Sequence, residues 1–517
     1  MSLNEVRAVD QIGFPILSVL IFLPVLWAIL VNLLEDERLA RRTALVGALV
    51  ELALAVFMAA SFTPGVSDIQ FAERIGWIAT MGVGYHLGVD GISVLFIPLT
   101  AFVTLIVMLF SWTTVRFRPK AYLTALFAVE ATTIGIFASV DLVLFFVFWE
   151  LILVPIYFLL RLLGIGPERQ YAAVKYVMYM LSGSVPMLLG IVLLGVNHYH
   201  QTGAYSFDLL DLLRAPVPQG LQTLIFFLLA FGLAVKAPLF PFHTWMPTVL
   251  LQGPIGAGMF LIGLKIGVYG FVRFALPLVP DAVREWSWLM AGLGVTAIIY
   301  GGLIALVQTN LRRLLAFASV SHVGLALVGV FSLNVQGIQG ALLLMFNLGI
   351  VSTGLFFLTG LLYARTGSSE LSAFGGIARH APLLATFFFI IGLAAIGLPG
   401  TSGFPGEFLV LLGAFGVHWA LAGVAIVGVV LTAAYFLSYY ERAFFGPPPT
   451  HERRVPDLHV REAALAAVLA VVVFWIGLFP ARFLDMTSGS VRALVERMNA
   501  EPASRPEAPG PRLPLGN

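Results

Sequence analysis

Seven ionisable residues lie in stretches too apolar to give them an ordinary place: Glu130, Glu150, Lys175, Lys236, Lys265, His322 and Glu407. Their settings read "LFAVEATTIG", "FVFWELILVP", "YAAVKYVMYM", "GLAVKAPLFPFHTWMP", "LIGLKIGVYG", "ASVSHVGLAL" and "GLPGTSGFPGEFLVL". A charge at the centre of a lipid-embedded helix costs roughly 2.5–3.5 kcal/mol on insertion scales, so such residues mark ion or proton pathways. Burial favours the neutral form of an amine, and a nearby carboxylate opposes that. A lysine whose partner moves away therefore has two protonation states separated by a modest energy. With Lys175 set aside, the order from Glu150 to Glu407 is acid, base, base, histidine, acid. That row suits proton transfer through water. Glu150 and Lys236 fit as partners on adjacent helices, and Lys265 and His322 continue the line towards Glu407.

Each residue also has a plainer reading. Glu150 and Lys236 make a static ion pair, which is weak evidence for stability when buried. His322 is a satisfied interior histidine. Glu130 lies near enough to a span end to face a headgroup. Lys175 snorkels to the interface. His243, in "PFHTWMP", caps a broken helix. The 42 phenylalanines are lipid-facing and packing surface.

The elements that must position these groups are transmembrane helices. The chain has 517 residues, 59% hydrophobic and 11% charged, where a soluble domain carries roughly 25% charged residues. The pattern predicts an all-α polytopic membrane protein of about 14 spans, over 14–34, 43–62, 88–111, 121–139, 142–163, 172–196, 220–247, 254–276, 286–308, 312–332, 336–363, 382–415, 417–440 and 463–484. Short alternating segments of a β-barrel are absent. The first apolar run is long enough to span and has acidic flanks, so no cleavable signal peptide is expected. The absence of cysteine excludes disulfides, iron–sulfur clusters and cysteine-bound zinc in this chain. A net charge of +2 gives no basis for nucleic-acid binding. No P-loop, G-x-G-x-x-G after a strand, or H-E-x-x-H is present. "SFDLLDLLR" (206–214) has the spacing of an interfacial helix, and the proline-rich tail 500–517 is expected to be disordered.

Spans 7 and 12 are broken alike: Lys236 precedes Pro238 and Pro241, and Glu407 follows Pro399 and Pro405. Five spans apart, they enter from opposite sides. Such a pair points to inverted repeats with ion sites near the midplane. Lysine and arginine favour the loops after odd-numbered spans about four-fold, those after even-numbered spans holding only Arg74, Arg214, Arg273 and Arg284, which makes the odd-numbered loops cytoplasmic and turns both termini outward.

"FWELILVPIYFLL", "YAAVKYVMYMLSGSV", "KAPLFPFHTWMP", "GLKIGVYGFVRF", "QTNLRRLLAFASVSHVGL" and "GTSGFPGEFLVLLGAF" together resemble the antiporter-like subunits of proton-pumping NADH:quinone oxidoreductase, respiratory complex I. The similarity runs from span 3 to span 14. It is nearest to the subunit M type, which is subunit 4 in organelles and the D type in cyanobacterial-type complexes, because Glu407 stands where the L and N types usually carry lysine. The resemblance implies helices 1–3 within 1–111, two inverted five-helix repeats over 121–276 and 286–440, and a last helix at 463–484. It implies roles too: Glu150 as carboxylate partner, Lys236 as switching base, Lys265 as connecting lysine, His322 as relay and Glu407 as the terminal group. Glu130, Lys175, His243 and Asn347 are accessory candidates.

The sequence also departs from that family. Thr248, Leu250 and Gln252 stand where it usually has Asp, His and Glu, and Leu348 replaces a span-11 histidine. Asn347 or water is left to bridge that gap. The expected function is a proton-translocating membrane-arm subunit of a bacterial inner or thylakoid-type membrane, beside L-like and N-like subunits. No cofactor is expected in this chain: NADH, FMN, iron–sulfur clusters and quinone belong to partner subunits. A variant complex, ferredoxin-driven or coupled to inorganic-carbon uptake, is one alternative, and a multi-subunit cation/proton antiporter another. A spacer that pumps nothing would leave the charges unexplained.

Overall fold

The computed structural model describes residues 4–447 and 455–499. The tail 500–517, expected to be disordered, lies outside the described residues. Among them, thirteen helices are long and apolar enough to cross a membrane. They number fourteen if the pair Leu371–Arg379 and Pro382–Ala395, bent by 109°, counts as one span. The polytopic, mostly helical architecture is therefore as the apolar runs indicate.

Burial orders the spans. The apolar stretch of Val335–Thr366 (span 11) is 100% buried and that of Ile255–Leu278 (span 8) 94%, against 33% for Glu37–Ala60 (span 2) and Val460–Leu478 (span 14). Spans 10 and 12, which carry His322 and Glu407, pack against the enclosed span 11, and spans 2 and 14 lie at the rim. Spans 9 and 10, Pro280–Leu306 and Leu311–Val330, approach through glycine: a Cβ on Gly324 would lie 2.3 Å from the Gly294 carbonyl oxygen. Small residues permit such backbone approach where no hydrophobic force draws helices together in lipid. Asp36, Asp141, Asn310 and Asn334 cap the helices that follow them, satisfying amides that an apolar phase cannot.

Span 1, Ile16–Leu33, borrows its cap. Glu73 accepts from the backbone amides of Leu17 (2.8 Å) and Ser18 (3.1 Å). It comes from a three-stranded sheet that the apolar pattern did not indicate. Strands β1 (Glu5–Arg7), β2 (Ile69–Ile78) and β3 (Val83–Val89) pair parallel, then antiparallel. The expected start of span 3 at 88 is therefore corrected: the chain is still in β3 there, and the helix runs Phe96–Thr114. Gly82 turns the hairpin at φ +65°, where a Cβ would be 1.9 Å from the Tyr205 carbonyl oxygen. His86 on β3 contacts Asp208 at 2.5 Å, and Arg74 on β2 reaches the same carboxylate at 3.3 Å. Burial pushes the Asp208 carboxyl up, but the hydrogen bond and charge of His86, with the charge of Arg74, outweigh it and hold the carboxyl below its ordinary range.

Two further expectations change. The 206–214 segment forms a helix over Leu209–Arg214, but Leu209, Leu210 and Leu212 are buried in protein. The last span ends at Leu478, and a separate amphipathic helix, Ala481–Asn499, follows. That helix is tied down by Ser490 to the Gly91 amide (2.9 Å) and by Gln339 to Thr487 (3.2 Å).

Candidate functional site

The prolines of span 7 stop the helix Gln219–Lys236 immediately after its lysine, and the chain resumes as Trp245–Gln252. The carbonyls freed by the break find local donors. The Trp245 indole donates to the Val235 carbonyl at 3.0 Å, and the Leu239 amide to the Ala234 carbonyl at 3.0 Å. Lys236 Nζ donates to the Trp149 carbonyl at 2.6 Å and lies 3.9 Å from the Trp149 ring centroid. The expected direct ion pair with Glu150 does not form, and Glu150 Oε1 is buried without a hydrogen-bond partner. The reason is a second interruption. Span 5 is split into Leu142–Leu151 and Leu153–Leu163, so the Trp149 carbonyl lies in a last helical turn, where carbonyls lack intrahelical donors.

Lys265 is itself a breaking residue. Ile255–Gly263 ends before it, Ile266–Gly270 begins after it, and its backbone is non-helical at φ −85°, ψ 53°. Sequence reading placed an unbroken span here. The two lysine-bearing breaks touch backbone to backbone: a Cβ on Gly267 would lie 2.4 Å from the Leu233 oxygen and 2.5 Å from the Ala237 nitrogen. A cavity of about 30 Å³ beside Lys236 is lined by Thr133, Tyr176 and Trp245, and by Leu264 and Ile266, the chain neighbours of Lys265. That is room for one water molecule.

Lys265 Nζ donates to Ser319 Oγ at 2.6 Å. Ser319 stands one helical turn before His322. The His322 ring lies between two carbonyls, with Nδ1 2.7 Å from that of Ala318 and Nε2 3.1 Å from that of Ala395. Only a doubly protonated ring donates to both; a neutral one leaves either nitrogen facing an acceptor. The Ala395 carbonyl is free because Pro382–Ala395 ends there, before Gly403–Phe415 begins. His322 Nε2 lies 3.8 Å from Glu407 Oε1. Gly397, at φ +70°, brings its Cα against that carboxylate: a Cβ would meet Glu407 Oε2 at 2.2 Å. Leu348, at the position of the missing histidine, lines a second cavity of about 30 Å³ together with Ser319 and His322.

The structure thus sets Lys236, Lys265 and Glu407 at or beside breaks in spans 7, 8 and 12, with His322 against the last and Glu150 next to the residue whose carbonyl Lys236 takes. The accessory candidates divide. Lys175 is half-buried and donates to Thr248 Oγ1 at 3.1 Å. His243 lies inside the short turn Phe242–Thr244 and packs against Tyr300, and it caps nothing. Asn347 is turned to the span-12 break, where its oxygen accepts from the Ser402 hydroxyl. Glu130 is fully buried in mid-helix, which removes the headgroup reading.

Glu51, Asp90 and Arg273 are among the buried ionisable groups that sequence reading missed. Glu51 lies fully buried in span 2. Asp90 and Arg273 form an ion pair at 2.6 Å, although Arg273 reads as a loop cation in the sequence. Ser319, the contact of Lys265, was also missed. A carboxylate inside "ALVELALA" is the signal that would have found Glu51.

Broken spans that line up buried ionisable groups define the antiporter-like class of membrane subunit. Residues 139–432 match the family described as NADH:quinone oxidoreductase/Mrp antiporter, TM. NADH-quinone oxidoreductase subunit M of Rickettsia prowazekii is 36% identical over 495 residues, 94% of this chain and 99% of that protein. A chain of respiratory complex I from Thermus thermophilus superposes with a TM-score of 0.86 at 32% identity, covering 94% of this chain and 100% of that one. A chain of the Mrp complex from a Dietzia species shares the fold with a TM-score of 0.79 at 23% identity, over 94% of this chain and 99% of that one. This chain belongs to the NADH:quinone oxidoreductase/Mrp antiporter family of membrane subunits, in its subunit M branch.

Proposed function

We propose that this subunit carries protons across a bacterial inner or thylakoid-type membrane within a complex I-type assembly, beside L-like and N-like subunits. NADH, FMN, iron–sulfur clusters and quinone act in partner chains. Lys236 exchanges its proton between the Trp149 carbonyl and the cavity at the two lysine breaks, under the influence of the Glu150 carboxylate. Lys265 passes it by way of Ser319 to His322, which receives on one ring nitrogen and releases from the other. Glu407 takes the last step, towards the side that the charge asymmetry makes the outer one, where both termini lie. The observation that carries this reading is the row Lys265, Ser319, His322 and Glu407: Lys265 reaches Ser319 at 2.6 Å, Ser319 and His322 line one cavity a helical turn apart, and His322 lies 3.8 Å from Glu407. Polar atoms at such spacing, with water-sized cavities beside them, can hand a proton along.

Lys236→Ala tests the proposal. Sealed membrane vesicles with the assembled complex should lose the protons moved through this subunit while electron transfer to quinone persists in part. A normal proton-to-electron ratio in a fully assembled variant would overturn it. A variant complex, driven by another electron donor or coupled to carbon uptake, is favoured by one observation: Leu348 puts an apolar side chain beside His322 where the resembled family has a histidine. The subunits that copurify from native membranes distinguish the two readings.

A further inference from the structure

Glu51 and Glu130 are both 0% exposed. All four of their carboxyl oxygens are buried without a hydrogen-bond partner. Span 2 packs against Pro119–Ala138 (span 4), and the two residues lie at matching positions along that contact. The register is fixed one turn earlier on each helix, where a Cβ on Gly47 would lie 3.1 Å from the Phe127 ring. The Thr104 hydroxyl beside Glu130 is committed to the Thr100 carbonyl at 3.0 Å. Two adjacent carboxylates without donors cannot both be ionised in such a setting. A proton on one of them supplies what both lack, an O–H that donates to the other's oxygen.

A second, independent feature leads away from the pair. Thr133, one helical turn beyond Glu130, is 0% exposed, and its hydroxyl has no partner. It lines the one-water cavity that also holds Lys236. We propose that Glu51 and Glu130 form a proton-holding carboxyl pair, a side store that exchanges with Lys236 through Thr133 and the cavity. The inference rests on the relay reading for its Lys236 end. In the exchange an N–H bond of the Lys236 ammonium breaks as an O–H bond forms on the carboxylate of the pair. The lysine is left a neutral amine and the pair gains one proton. The reverse step reloads the lysine.

The test uses the assembled complex in its native membrane, with Glu51→Gln, Glu130→Gln and Thr133→Val variants. Infrared difference spectra in water and deuterium oxide read the carbonyl stretch of a protonated carboxyl. The expected result is a deuterium-sensitive band that is lost in Glu130→Gln and shifted or lost in Glu51→Gln. Thr133→Val should keep the band but slow its exchange by about tenfold, through loss of one hydrogen-bonded link. An unchanged band in both glutamine variants overturns the pair, and wild-type exchange in Thr133→Val overturns its link to the cavity. The relay fails separately: if Lys236→Ala pumps normally, the row falls while the band still reports on the pair.

Discussion

Ser319→Ala tests the link on which the row depends. Lys265 Nζ donates to Ser319 Oγ at 2.6 Å, and both residues are buried. A hydrogen bond to a charged group contributes about 1.5–3 kcal/mol. At about 1.4 kcal/mol per factor of ten, its loss changes the occupancy of this lysine position by about ten- to a hundred-fold. The same site sets which end of the range applies. Ser319 lines a cavity of about 30 Å³, and removing the hydroxyl enlarges it, so a water enters and restores part of the bond at an entropic cost of ~0–2 kcal/mol. The expected effect is therefore about a tenfold fall in proton translocation through this subunit. The assay is proton uptake per electron passed to quinone, in sealed vesicles with equal amounts of assembled complex. Ser319→Thr keeps a hydroxyl and should hold most of the wild-type ratio. Wild-type rate and ratio in fully assembled Ser319→Ala would refute the reasoning, because the link would then carry no proton.

Gly267→Ala should destabilise the subunit by about 1–3 kcal/mol, the range for overpacking, because the new methyl meets backbone atoms at 2.4 and 2.5 Å. A lower melting temperature and less assembled complex would show it, and unchanged values would mean that the two lysine breaks are not in backbone contact. Acid should loosen the hairpin. Asp208 is held below its ordinary range by His86 and Arg74, against burial, so its contribution is full above the ordinary carboxylate range and is lost as pH falls through its folded value. Melting temperature followed from neutral to acid pH should show this loss in the wild type. In Asp208→Asn that component should be missing, with lower stability already at neutral pH; parallel profiles would contradict the assignment.

The two proline-marked breaks are legible because proline removes a donor and clashes with the preceding turn wherever it occurs. The Lys265 break is not legible in the same way. Its flanks are Gly263 and Gly267, and glycine inside an apolar run signals close packing as readily as interruption. What opens the helix there is the packing of Gly267 on the Leu233–Ala237 backbone, a contact between distant parts of the chain. The hairpin was missed for a related reason: its alternation is cut by Gly76, Gly82, Gly84 and Gly88, and its anchor, Asp208, lies far along the chain. Arg273 looked like a loop cation because it stands near the end of an apolar run. Its place in the fold is set by Asp90, 183 residues away, and no local pattern holds that information. Glu51 is different, since the criterion that selected Glu130 applies to it equally.

Breaks and charges coincide in this fold because each solves the other's problem. An interrupted helix leaves carbonyls without donors, and hydrocarbon offers them none. A buried ammonium or imidazole brings donors and needs acceptors. Lys236 takes a carbonyl at the interruption of span 5, and His322 takes one at the interruption of span 12. Lys265 stands at the interruption of span 8. Glu407 makes the complementary arrangement: a carboxylate just past the first turn of a helix that begins at a break, 3.8 Å from the His322 ring. A continuous helix in span 5 or span 12 would keep those carbonyls bonded and withhold them from Lys236 and His322. A break without an ionisable group would leave the carbonyls without donors. The interruptions of spans 5 and 12 are therefore what gives Lys236 and His322 their acceptors at that depth. A substitution that restored helix at either point would be expected to expel the charge or unfold the span.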